Sequence, residues 1–212
     1  LVNDSAFYIE GADNLRLGNG YARTSGGGEI KPVTHFPPLF SLLLAGVSLT
    51  GLELLVAARV LVTLLFGVTI LLTGLSVYRL SRSVIFALLG AFLLAMSDVF
   101  LGVHSMALSE ALFLALMLGA FLALSRGLER PSYGWLMGAG VLLSLATLTR
   151  YAGASLYLTA MLTVVLAGCA GQKWGWKAMG RRVGALLAGG IPLLLAWGLV
   201  SGLSAGAESV GN

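Results

Sequence analysis

From Leu54 onward the chain is a succession of apolar runs, each near the length a helix needs to cross a hydrocarbon core of about 30 Å. Six can be marked off, at residues 54–78, 84–103, 106–124, 133–149, 151–169 and 183–203. Lipid offers no water to a backbone N–H or C=O, so a run of this kind satisfies its own polar groups by coiling into a helix. The spacing therefore predicts an all-α fold, a polytopic transmembrane bundle of about six spans.

Composition agrees. Hydrophobic residues make up 58% of the 212, charged residues only 10%, and the mean hydropathy is +0.93. So few charges cannot cover a water-facing surface. The net charge of +4 does not point to nucleic acid, because the cations fall in short loops between apolar runs rather than on one face. Cys169 is the sole cysteine, which excludes an internal disulfide and any cysteine-based metal cluster. No glycine-rich nucleotide loop, HExxH helix or nucleophile elbow occurs. The chain opens at Leu1 without a methionine or a basic-then-apolar leader, so we expect a fragment of a longer polypeptide with a further membrane anchor.

The basic residues set an orientation. Arg79 and Arg82 lie between the first two runs, and Arg126 and Arg130 between the third and fourth. Lys173, Lys177, Arg181 and Arg182 lie between the fifth and sixth. Alternate loops are thus positive and are expected on the cytoplasmic side. The last of them, GQKWGWKAMGRR, interleaves Trp174 and Trp176 with its cations, the pattern of an interfacial anchor against membrane lipids.

Ahead of the spans, residues 1–53 read as an extracytoplasmic loop, residues 54–203 as the bundle and 204–212 as an extracytoplasmic tail. Asp4 to Leu17 looks helical, with Phe7, Gly11 and Leu15 on one face, Asn3 to cap it and Gly18 to stop it. Residues 18–31 are turn-rich. The apolar run at 38–50 is too short to cross and suits an interfacial or re-entrant helix. The loop's own charge is negative: Asp4, Glu10, Asp13 and Glu29 against Arg16, Arg23 and Lys31.

A set of polar residues is expected at the outer face: Asp4, Arg59, Asp98, His104, Glu110 and Arg150, with His35 and Tyr151 beside them. A carboxylate within a span, such as Glu110 in MALSEALFLAL, costs about 2.5–3.5 kcal/mol on insertion scales and calls for a partner or a wet cavity. Each residue also has a plainer reading. Asp4 begins a helix, where an acid complements the dipole. His35 orders the loop before Phe36-Pro37-Pro38, and Glu110 pairs structurally with Arg150 or Arg59. Asp98 and His104, six apart, are the pair that a divalent metal would use, though two ligands do not define a site. No cofactor is otherwise implied.

Four segments, in order along the chain, then carry a resemblance. DSAFYIEGADNLRLGNGY followed by HFPPLFSLLLA resembles the first outer loop of the membrane-embedded GT-C glycosyltransferases, nearest the bacterial relatives of protein O-mannosyltransferases and the lipid A aminoarabinose transferase. MALSEALF and LATLTRYAGASL are similar to that family's "SE" and "R-Y-x-G" segments. In many relatives two acids are adjacent at the loop start, whereas here Asp4 is followed by Ser5.

The resemblance implies an enzyme of the bacterial plasma membrane with its N-terminal loop outside. It implies a sugar donor linked to polyprenyl phosphate and a lipid, glycan or protein acceptor. Asp4 takes the position of the general base on the acceptor hydroxyl, and transfer inverts the anomeric carbon. A lipid phosphate leaves as a stable anion and wants a cation, for which Arg150 is the candidate; Tyr151, Glu110, His35 and Arg59 are further substrate contacts. A transporter or flippase with charges along its path, or a membrane scaffold without catalysis, is the alternative from the residues alone.

Overall fold

The computed structural model describes residues 3–24, 28–33, 35–130, 132–171 and 174–210. Of the expected features, Lys173 and residues 25–27 of the SGGG turn lie outside them. Among the described residues the regular structure is helical apart from one small hairpin, and the chain divides into two compact units, Leu1–Ala115 and Leu116–Asn212.

The first unit begins with α1 (Asn3–Arg16). Gly18 ends it at a φ of 82°, a value that favours glycine. The amide of Asn19 returns to the Asn14 carbonyl at 2.9 Å and that of Gly18 to Leu15 at 3.2 Å, a Schellman closure. The buried stripe of α1 is Ser5, Tyr8 and Ala12, not the expected Phe7, Gly11 and Leu15; of those three only Gly11 is buried. The polar hydroxyls of Ser5 and Tyr8 hid the stripe from a reading based on apolar spacing.

Two short strands form within and just after the turn-rich stretch that follows α1. β1 (Ala22–Thr24) and β2 (Ile30–Pro32) pair antiparallel, with Arg23 opposite Lys31. Glu10 ties this hairpin down, its Oε1 accepting the Thr24 N–H at 2.7 Å. Helix α2 (Leu39–Ser48) follows, ten residues and so about 15 Å long. It packs on α1 through Phe40, which meets the Tyr8 ring edge-on at 5.2 Å, and through Ser41, whose hydroxyl donates to the Tyr8 carbonyl at 3.0 Å.

Helix α3 (Leu54–Ser81) is 28 residues and long enough to cross with tilt. The second expected span is broken. α4 (Val84–Ala95) and α5 (Asp98–Ser105) are bent by 59°, and Ser97 caps α5 by accepting the Phe100 N–H at 3.4 Å. The segment expected as an outer turn, Asp98 to His104, is therefore a helix of its own, because a serine cap and an acid in the first turn start one there. The third span, expected from residue 106, starts later, as α6 (Ser109–Glu129).

The second unit contains the end of α6, α7 (Tyr133–Thr149), α8 (Gly153–Leu166) continued by a π-helical turn (Ala167–Gly171), and α9 (Trp176–Val210). α9 starts seven residues before the expected span. The Lys177–Arg182 stretch consists largely of good helix formers, and no loop is needed to seat its cations. Leu136, Leu143, Val164 and Leu186 form the core. Glycines let α7 and α9 approach: a Cβ on Gly140 would overlap the Leu186 carbonyl, and one on Gly189 the Met137 carbonyl. The GxxxG of Gly134 and Gly138 does not serve this purpose, since nothing lies within 4 Å of a Cβ on Gly138.

Among the described residues, four helices are long and apolar enough to cross a membrane, and the bent α4–α5 pair would make a fifth. α7, at 17 residues, falls just short of that length. The count is thus slightly below the six apolar runs. Their outward faces confirm what surrounds them. Ile85, Leu88 and Phe92 on α4 are 76%, 66% and 59% exposed. Bare in water, such a surface would aggregate; in a bilayer it is covered by acyl chains. The chain is an integral membrane protein.

Candidate active site

The residues expected to carry chemistry are divided between the units. Asp4, His35, Arg59, Asp98, His104 and Glu110 belong to the first, Arg150 and Tyr151 to the second.

In the first unit α1 is the organising element. Successive residues turn by about 100° around a helix, so Ser5 and Ile9 share one flank while Phe7 takes another, with Asp4 between them in the opening turn. Asp4 is exposed. On the Ser5 flank lies a cavity of about 330 Å³. Leu55, Ala58, Arg59 and Val62 of α3 form one wall, and His104, Ser105, Met106 and Ala107 another. Arg59 and His104, expected only to share a depth, are thus brought into one cavity beside the turn that carries Asp4.

Two of the lining residues each carry a buried polar atom with no hydrogen-bond partner among the described residues: Ser5 Oγ and His104 Nε2. Ser5 is 1% exposed. The His104 ring is held in place by its surroundings. Its Nδ1 lies 2.9 Å from the Phe100 carbonyl, and its ring centroid is 4.1 Å from Phe100 and 5.4 Å from Phe66.

On the Phe7 flank is a second cavity, of about 310 Å³, lined by Phe7, Arg23, Pro32, Val33, His35 and Phe36. His35 therefore lies apart from Arg59 and His104. The Arg23 guanidinium sits 4.9 Å over the Phe7 ring, and Phe7 and Phe36 are 5.4 Å apart. Asp98 lines neither cavity; it is exposed at the opposite end of α5 from His104, about 9 Å away along the helix axis. Among the described residues, no three of His, Cys, Asp and Glu come together as a metal ion would require.

Glu110 is half-buried in the first turn of α6, where an acid complements the helix dipole. Its neighbour Ser109 is fully buried and accepts a hydrogen bond from the Tyr8 hydroxyl at 2.9 Å. The "SE" segment thus anchors α1. That contact, the Glu10 tether and the place of Ser5 at the cavity wall escaped the sequence reading. The available signal was a Ser, Tyr and Ala at positions 5, 8 and 12 of one face.

In the second unit Arg150 ends α7 in extended conformation, half-buried, with Tyr151 exposed after it. The glycine of R-Y-x-G has a structural reason. A Cβ on Gly153 would come within 2.5 Å of the Thr147 amide nitrogen and 2.7 Å of the Ala146 carbonyl carbon, so the turn is tight enough to exclude any side chain.

Residues 35–200 match the dolichyl-phosphate-mannose-protein mannosyltransferase family. The chain belongs to this family. Its members are membrane glycosyltransferases of the GT-C type, so the chain is a mannosyltransferase-like enzyme, and the family in general uses a polyprenyl-phosphate sugar donor with a protein or glycan acceptor. Arg59, Asp98, His104, Glu110, Arg150 and Tyr151 lie within the matched residues and His35 is the first of them; Asp4 precedes them. No curated protein and no solved structure matches the chain.

Proposed function

We propose that this mannosyltransferase-family chain moves a sugar from polyprenyl phosphate to an acceptor hydroxyl, with Asp4 as the general base and Arg59 as a cation on the donor phosphate. One observation carries the reading. Asp4 is exposed in the opening turn of α1, next in sequence to Ser5, which lines a cavity together with Arg59 and His104.

The chemistry needs little more. A hydroxyl is a weak nucleophile until a nearby carboxylate takes its proton. The acceptor O–H passes its proton to Asp4, the oxygen attacks the anomeric carbon from the face opposite the phosphate, and the C1–O bond to phosphate breaks. Polyprenyl phosphate leaves as an anion and the configuration inverts. A planar guanidinium matches a phosphate through two parallel hydrogen bonds. The cavity of Phe7, Arg23 and His35 lies on the other flank of α1 and suits the acceptor.

The same reading places α1, the hairpin and α2 on the extracytoplasmic side of a bacterial plasma membrane. Supporting it, Arg79 and Arg82 fall at the end of α3, Arg126 and Arg130 at the end of α6, and Lys177, Arg181 and Arg182 in the first turns of α9. Three of the cations of the second unit lie over tryptophans, Arg182 over Trp174 at 3.8 Å, Arg126 over Trp135 at 5.0 Å and Lys177 over Trp176 at 5.6 Å. Arginine and tryptophan together are what a headgroup layer favours.

The test is transfer of labelled mannose from a polyprenyl-phosphate donor by the full chain in lipid nanodiscs, against Asp4→Asn. Asp4→Asn that turns over as fast as the unaltered chain removes the base assignment.

A further inference from the structure

We infer that His104 reads a hydroxyl group of the donor's sugar through the lone pair on Nε2, and so sets which sugars the cavity accepts. The inference deepens the glycosyl-transfer reading and rests on it.

The tautomer follows from the partner. A carbonyl oxygen can only accept, so the 2.9 Å contact with Phe100 places the proton on Nδ1. In the neutral imidazole the other nitrogen, Nε2, is then an acceptor. Phe66 and Phe100 pack against the ring, which fixes the direction of that lone pair. Nε2 is shielded from water and has no partner among the described residues. A buried polar atom left in this state is costly, and a ligand that supplies the missing donor recovers the cost.

Three kinds of ligand group can be compared at this nitrogen. A phosphate oxygen only accepts hydrogen bonds and would be repelled by a lone pair; Arg59 in the same cavity is the group that takes it. A metal ion would need further His, Cys, Asp or Glu ligands, and no such group of three is assembled among the described residues. A hydroxyl donates, and it is the match. Ser5 Oγ, also without a partner, can donate or accept and so tolerates either orientation of a second hydroxyl. Met106, unbranched and 41% exposed in the same wall, is the side chain that can move aside to admit the ligand. The cavity therefore asks for an anion with an O–H donor close by. A sugar 1-phosphate has both, and the sugarless polyprenyl phosphate left after transfer has only the first.

The experiment is equilibrium binding by the full chain in nanodiscs. The probes are short-chain polyprenyl-phosphate mannose, its four monodeoxy analogues and the sugarless polyprenyl phosphate. One deoxy analogue should bind at least about 10-fold more weakly than the parent, since a site built to pair a hydroxyl rejects the analogue lacking it. His104→Phe keeps the aromatic packing and should bring that ratio to about one, whereas His104→Gln, which retains an acceptor, should restore part of it. An unchanged ratio in His104→Phe overturns the assignment, as does equal binding of all four analogues by the unaltered chain. Sugarless lipid that binds as tightly as the mannosyl donor would also overturn it, while leaving Arg59 as the phosphate contact. If no polyprenyl-phosphate compound binds at all, the glycosyl-transfer reading falls and this inference with it.

Discussion

The Tyr8 hydroxyl donates to Ser109 Oγ at 2.9 Å, joining residues 101 positions apart in the chain. Both are buried, Tyr8 at 3% exposure and Ser109 at zero. The bond ties the second turn of α1 to the first residue of α6, and the turn that carries Asp4 is continuous with it. A hydroxyl pair thus helps to hold the helix that carries the proposed base.

Tyr8→Phe removes the donor and leaves the ring packing intact. A hydrogen bond of this kind contributes about 0.5–1.5 kcal/mol, so the unfolding midpoint should fall modestly. Ser109→Ala should cost a similar amount, and the double variant less than the sum of the two, because they share one bond. Additive losses would show that the two hydroxyls act separately.

Asp4 is exposed. Asp4→Asn should therefore leave the unfolding midpoint nearly unchanged while lowering kcat by roughly 10²–10⁴, the range a general base supplies. A drop in midpoint comparable to that of Tyr8→Phe would instead assign Asp4 to the start of the helix.

Arg59 is predicted to act on the donor and not on the acceptor. A hydrogen bond to a charged group is worth about 1.5–3 kcal/mol, so Arg59→Ala should raise the donor KM by about 10–100-fold. Arg59→Lys keeps the charge but loses the two-pronged geometry, and should recover only part of this. Equal changes in both KM values, measured by varying each substrate in turn, would point to a structural role.

Gly153 is predicted to be intolerant of any substitution. Its Cβ would meet backbone atoms of α7, which cannot rotate away as a side chain does. Gly153→Ala should cost about 1–3 kcal/mol, the usual range for overpacking. Thermal unfolding of the purified variant reads this directly, and a midpoint like that of the unaltered chain would mean that the Arg150 turn opens without strain.

Inside the second unit, Tyr157 donates to the Gly140 carbonyl at 2.6 Å and Ser144 to that of Gly190 at 2.7 Å, with the two hydroxyls 2.6 Å apart. Interhelical bonds among membrane spans contribute about 0.6–2 kcal/mol each. Ser144→Ala should lower the unfolding midpoint by an amount in that range and leave donor binding unaltered; a change in donor affinity would give the network a functional role.

The all-helical membrane architecture, the helix before Gly18, the short α2 and the seven-residue shift-prone start of the last span all bear on how far residue order reaches. Apolar run length is a local property set against the thickness of a bilayer, so the chain alone determined that its long segments are helices and roughly where they end. The break at Ser97 was legible in principle as a serine cap followed by an acid, but it was masked by the apolar residues on either side. Which polar residues meet was decided only by tertiary structure. Arg59 and His104 share a cavity, His35 and Arg23 share another, and Asp98 joins neither, because α1 packs by a stripe of Ser5, Tyr8 and Ala12 that carries two hydroxyls. Hydropathy counts such hydroxyls as surface. Only packing shows where they find partners, one on Ser109 and one left at the wall of the site.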